Sequence, residues 1–125
     1  MTYTNTFSSF SVDDLDKAQA FYGQTMGLPV EKTPQGLDIR LPGNSIFLYP
    51  KPNHTPATFT VLNFLVADIE SAVDGLTAKG VAFQHYTGEI ETDAKGIHHG
   101  DQDPTIAWFT DPAGNILSVV QEAKS

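Results

Sequence analysis

The chain contains no cysteine, so disulfide bridges, thiol nucleophiles and thiolate metal sites are all excluded. It is also poor in positive charge: seven Lys and Arg stand against fifteen Asp and Glu, for a formal charge of -8. Phosphate backbones and anionic lipid are held by clustered cations, and these seven are scattered, so neither nucleic acid nor a membrane surface is expected as a partner. No apolar run approaches the roughly 18 residues of a membrane span. The polar start, MTYTNT, lacks the basic, then apolar, pattern of a secretory leader, and a cytoplasmic location is expected.

What is present suits one domain, residues 1–125: 40% hydrophobic content is enough for a substantial core but not for two independent ones. The organising stretch is Phe109 to Gln121, FTDPAGNILSVVQ. Pro112 fixes φ, Asp111 and Asn115 can bond nearby backbone, and Gly114 can take a positive φ, so the stretch predicts a tight turn. The apolar run Ile116 to Val120 after it is too greasy for an exposed edge and predicts a central strand.

Upstream, the chain reads as two copies of one plan. Phe10, Val12, Asp14, Leu15, Asp16 and Ala18 are matched in type 54 positions later by Phe64, Val66, Asp68, Ile69, Glu70 and Ala72. Each copy begins with an alternating strand, around Phe7 to Val12 and from Thr58. Each continues into a helix opened by Asp14 or Asp68 and closed by Gly27 or Gly80. Three strands follow in the first copy, Val30 to Thr33, Leu37 to Leu41 and Ser45 to Tyr49. In the second they are expected at Val81 to Tyr86, Thr105 to Phe109 and Ile116 to Val120. The boundaries are a first module over about 5–50, a Pro-rich linker over 51–57 and a second module over about 58–122. Each module is βαβββ.

This arrangement resembles the vicinal oxygen chelate superfamily, which includes glyoxalases, bleomycin-resistance proteins and extradiol dioxygenases. The resemblance rests on the closing hairpin, on Asp14-Leu15 after the first strand and on Phe21-Tyr22 within the first helix. It implies an α+β fold in which two βαβββ modules form a curved mixed sheet around a pocket, with helices on the convex side. It also implies four metal-ligand positions, which fall here on Phe7, Phe47, Val61 and Ser118. Catalytic cations need about three or more N or O donors, and three of these four side chains have no lone pair to give. No metal and no cofactor is therefore expected, and whether the protein is an enzyme is left open.

Period-2 alternation places Ser9 and Ser11 on the face of Phe7, Tyr49 on that of Phe47, and Asn63 and Leu65 on that of Val61. With Ser118 and Trp108 these residues describe an apolar cup with a few hydrogen-bonding points, suited to a small apolar or aromatic ligand. The blander reading is that the large apolar residues are simply core. Four further residues are secondary candidates: Arg40, His85, and the pair His98 and His99, which lies beside Asp101 and Asp103 in a long segment, Thr87 to Pro104. Two alternatives stand beside ligand binding. One is an enzyme of the same family with a noncanonical metal or metal-free site; the other is an assembly module whose cup is filled. Relatives of this length commonly pair their modules between chains and the sheets leave edges needing cover, so a homodimer is expected.

Overall fold

The computed structural model describes residues 2–100 and 104–122. The chain forms two compact units: one takes the chain up to Pro56 together with Pro112–Gly114, the other takes Ala57–Asp111 and the chain from Asn115 onward. Each holds one four-stranded mixed sheet, so the fold is α+β. No helix among the described residues is long and apolar enough to cross a membrane.

In the first unit β1 (Ser8–Val12) leads to α1 (Leu15–Gln19), then to β2 (Val30–Lys32), β3 (Leu37–Leu41) and β4 (Asn44–Pro50). Asp14 caps α1 from an extended conformation, its carboxylate accepting from the Lys17 amide at 3.1 Å. The apolar spacing predicts a single α-helix through Thr25, but from Ala20 the backbone widens to a π-helix, with the Met26 amide bonded to Phe21 O at 2.8 Å. That winding accompanies the full burial of Tyr22, against which Phe21 packs edge-on at 5.1 Å. The sheet order is β1-β4-β3-β2, with β1 parallel to β4 and the other pairs antiparallel. Alternation then separates the faces. Val12, Leu37, Ile39, Ile46 and Leu48 are buried with Ala18 and Tyr22 of the helical segment. Each such aliphatic side chain contributes about 1.5–3 kcal/mol on burial.

The second unit repeats the plan with β5 (Thr60–Leu65), α2 (Ile69–Ala78), β6 (Ile97–His98), β7 (Thr105–Thr110) and β8 (Ile116–Gln121), in the order β5-β8-β7-β6. Asp68 caps α2 by accepting from the amides of Glu70 and Ser71 and from the Ser71 hydroxyl. The Ser71 hydroxyl bond, more than any other, holds the Asp68 carboxyl below its ordinary range. β8 is central, as its apolar run requires, and Leu117 and Val119 are buried with Ile69, Val73, Ile97, Ala107 and Phe109. The two ends of the turn before it, Asp111 and Asn115, are buried polar residues. Asn115 donates from its amide and from its side chain to the two carboxylate oxygens of Asp111, at 2.8 and 3.0 Å.

The strand expected over Val81 to Tyr86 does not form as one piece. Phe83 makes an isolated antiparallel bridge to Phe109, the Gln84 amide bonds Trp108 O at 2.8 Å, and the chain then leaves the sheet. It returns as β6, within the long segment after Tyr86 where no strand is expected, with Ile97 opposite Ala107. From Phe83 to Ile97 this edge thus advances fourteen positions while β7 advances two, from Phe109 to Ala107, an excess of twelve. Alternation in the sequence marks residues able to pair, but an edge strand is bonded on one side only and can be interrupted without opening the sheet. The returning chain passes so close to the first piece that a Cβ on Gly96, whose φ is +88°, would lie 2.9 Å from Phe83 Cβ.

Two glycines give opposite expectations. A Cβ on Gly36 would lie 2.1 Å from the carbonyl oxygen of Leu48, so Gly36→Ala must displace backbone and should cost about 3 kcal/mol, roughly ten degrees in Tm. Gly75 lies within α2 with nothing within 4 Å of its virtual Cβ, so Gly75→Ala should stabilise by about 0.5–1 kcal/mol. Thermal unfolding of both variants against the parent checks the two signs together.

Candidate functional site

In each unit the helix covers one face of the sheet, and the residues of opposite parity are turned to the other face. On the first sheet Ser9 is paired with Phe47 and Ser11 with Tyr49. The rings of Phe47 and Tyr49 are stacked, 6.4 Å apart and inclined by 19°. Phe7 extends the same row and is 69% exposed; it is not core. An open groove of about 630 Å³ runs along this face, lined by Thr6, Phe7, Asp38, Arg40, Ser45 and Phe47. Arg40 borders it with its guanidinium 3.2 Å from Glu31, an exposed pair of the kind that contributes little to stability.

On the second sheet Asn63, Ser118 and Trp108 form one row across β5, β8 and β7. Ser118 is fully buried and donates its hydroxyl to Asn63 Oδ1, while Asn63 is exposed. The half-buried Trp108 meets Tyr86 edge-on at 5.6 Å and His98 at 6.3 Å. Leu65 lies on the same face and is 67% exposed. Val61 sits where a register shift between Thr60 and Leu62 breaks the pairing, which leaves it half-buried at a bulge.

The secondary candidates are dispersed. His98 joins Trp108, and its Nδ1 proton is donated to Glu91 O at 2.9 Å. Its neighbour His99 diverges to pair with Asp93 at 2.8 Å. His85 is exposed and lines a different hollow, about 480 Å³, beside Val73, Asp74 and Lys95 of the α2 side. Asp101 and Asp103 lie outside the described residues. Three contributors escaped sequence reading. Tyr86 and Asp93 belong to the excursion between the two edge pieces, and His54 lies in the linker. In that linker Nδ1 of His54 is 2.6 Å from Ser11 Oγ, and its Nε2 is 3.0 Å from Ala113 O. A proline-rich composition signals only a connector, and nothing local to His54 marks the hydroxyl 43 residues upstream.

The four positions at which the resemblance places metal ligands do not fit a divalent cation. Phe7, Phe47 and Val61 offer no donor atom, and the hydroxyl of Ser118 is engaged by Asn63. Among the described residues no three His, Asp or Glu side chains converge elsewhere.

A sequence profile of the "Glyoxalase/Bleomycin resistance protein/Dioxygenase superfamily" matches residues 7–119. No curated protein sequence matches the chain. Solved structures similar to it include the fosfomycin resistance protein FosX from Listeria monocytogenes, at 13% identity and a TM-score of 0.72 over 98% of this chain and 96% of that one. TnmS3, an antibiotic binding protein from Streptomyces sp. CB03234, is 22% identical with a TM-score of 0.69, covering 98% and 100%. Lactoylglutathione lyase from Agrobacterium tumefaciens is 21% identical with a TM-score of 0.65, covering 97% and 96%. At these identities the likeness is one of fold.

The loop that presents Tyr86 and His98 is organised by Asp93, which accepts from the amides of Lys95 and Ile97 and from His99. Partial burial raises its carboxyl pKa, but the Ile97 amide, His99 and the Lys95 amide together outweigh this and hold it below the ordinary 3.8. The stabilisation is therefore complete above pH 3.8 and is lost as the pH falls through the lowered folded-state value. Amide exchange at Lys95 and Ile97 should accelerate over that acid range, and in Asp93→Ala it should be fast already at neutral pH.

Proposed function

The chain belongs to the glyoxalase/bleomycin resistance protein/dioxygenase superfamily, and within it we propose that this protein binds a small apolar or aromatic molecule without a divalent cation. One observation carries the reading: the sheet face turned away from the helix bears Phe7, Phe47 and Tyr49 with Ser9 and Ser11 in the first unit, and Trp108 with Asn63 and Ser118 in the second. Half-buried and exposed aromatic side chains with a few fixed polar groups match the composition of small-molecule sites. The row ending at Trp108 offers a flat surface for stacking and, at Asn63, an exposed amide that accepts from Ser118 and can orient a ligand's polar group. That one structural relative is described as an antibiotic binding protein supports the same class of ligand.

The protein's single tryptophan makes the reading measurable. Binding of an aromatic ligand should quench Trp108, and at a hundred times its Kd should add about 2.7 kcal/mol of stability in a thermal-shift assay. Both responses should be the same in chelator and in added Mn, Fe, Ni or Zn. Trp108→Phe should weaken the thermal shift several-fold. A shift that appears only with the metal would overturn the metal-free reading.

The same faces and edges support a homodimer. β1 and β2 are the edges of the first sheet and β5 and β6 of the second, and Phe7, Phe59 and Leu65 expose about two thirds of their surface. Sedimentation equilibrium at micromolar concentration should give twice the 13.6 kDa chain mass, and a monomer would refute the assembly.

A further inference from the structure

Ser11 and His54 form a unit whose geometry exceeds what ligand binding requires. Alternation in β1 turns Ser11 away from the core that holds its neighbour Val12. After β4 the chain turns back through Lys51 and His54: the Lys51 amide bonds Val12 O and the His54 amide bonds Lys51 O, both at 3.0 Å. This returns the imidazole to the end of β1, where Nδ1 lies 2.6 Å from Ser11 Oγ. On the other side of the ring Nε2 lies 3.0 Å from Ala113 O. A carbonyl oxygen can only accept, so Nε2 carries the proton. The neutral ring then presents the Nδ1 lone pair to the hydroxyl, and Ser11 donates to it. A hydroxyl, a base and a group that fixes the tautomer of the base are the parts by which an ordinary serine is activated. Both side chains are half-buried, and Tyr49, paired with Ser11 in register, continues with Phe47 as a stacked apolar wall beside it.

We propose that Ser11 is an acyl-accepting nucleophile with His54 as its general base, acting on small esters with an aromatic or apolar group. Ser11 Oγ attacks the ester carbonyl carbon while its proton passes to His54 Nδ1. The tetrahedral adduct collapses by breaking the bond to the leaving oxygen, which takes that proton as an alcohol or phenol. Water, deprotonated by the same nitrogen, then attacks the acyl-serine and releases the acid, and the proton returns to Ser11 Oγ. This activity goes beyond the binding reading: it shares Ser11, Phe47 and Tyr49 with the binding face of the first unit but involves no residue of the Trp108 row, so acylation of Ser11 and quenching of Trp108 can fail separately.

The test uses the full chain and 4-nitrophenyl acetate. The proposal expects a burst of 4-nitrophenolate and, by peptide mass spectrometry of the quenched reaction, an acetyl group on Ser11. Ser11→Ala should lose the burst, Ser11→Cys should retain an acylated side chain at position 11, and His54→Gln should acylate Ser11 about 100-fold more slowly. Thermal unfolding of each variant separates these effects from loss of fold. Acetylation found only at lysines or the N-terminus of the parent protein overturns the proposal whatever the variants do, as does a folded His54→Gln that labels Ser11 at the parent rate.

Discussion

Each unit depends on the covering of one face of a four-stranded sheet by a single helical segment. The connection from β1 to β2, and from β5 to the edge held by Phe83 and β6, runs from one edge of the sheet to the other between strands of the same direction and carries the helix across one face. That helix takes up the apolar parity: Val12, Leu37, Ile39, Ile46 and Leu48 in one unit, Leu62, Ile97, Ala107, Phe109, Leu117 and Val119 in the other. The opposite parity gets no such cover from its own unit. The residues there are the ones on which binding and chemistry have to be built, and apart from the buried Ser118 they are half-buried or exposed, a mixture of polar and aromatic side chains.

The two units differ where the constraint is weakest. Central strands are bonded on both sides, and the pairings of β4 and β8 with their neighbours correspond closely between units. At the edge, β2 is one continuous strand, whereas its counterpart is divided by twelve extra residues. The excursion leaves the core intact because Phe83 and Ile97 both remain buried. In exchange it sets Tyr86 and His98 against Trp108, with Asp93 and Gly96 fixing how the chain comes back. Variation at an edge thereby alters the outer face without disturbing the packed one.

Hydrogen bonding does locally what the core does globally. Asp14 and Asp68 satisfy helix starts, the buried Asp111 and Asn115 satisfy each other across the ends of a turn, and Asp93 gathers the excursion. Among the described residues no buried side-chain polar atom lacks a partner. A chain with so few cations thus spends several of its carboxylates on backbone amides rather than on ion pairs, which suits a net charge of -8.

By itself the sequence determined the repeated βαβββ plan, the caps at Asp14 and Asp68, the glycine stops and the central place of Ile116 to Val120. These features depend on period, φ and capping chemistry, all of which act over a few residues. The same alternation assigned Ser9, Ser11, Phe47, Tyr49, Asn63 and Ser118 to faces correctly, since parity is fixed once a strand exists. Tertiary structure decided the rest. Which of two alternating stretches holds the edge depended on β7, some ten to twenty-five residues downstream, and Val61 was taken out of regular pairing by a bulge that no residue type announces. His54 met Ser11 only because the linker turns back on β1, and a hydrogen bond between residues 43 apart leaves no periodic trace in a sequence.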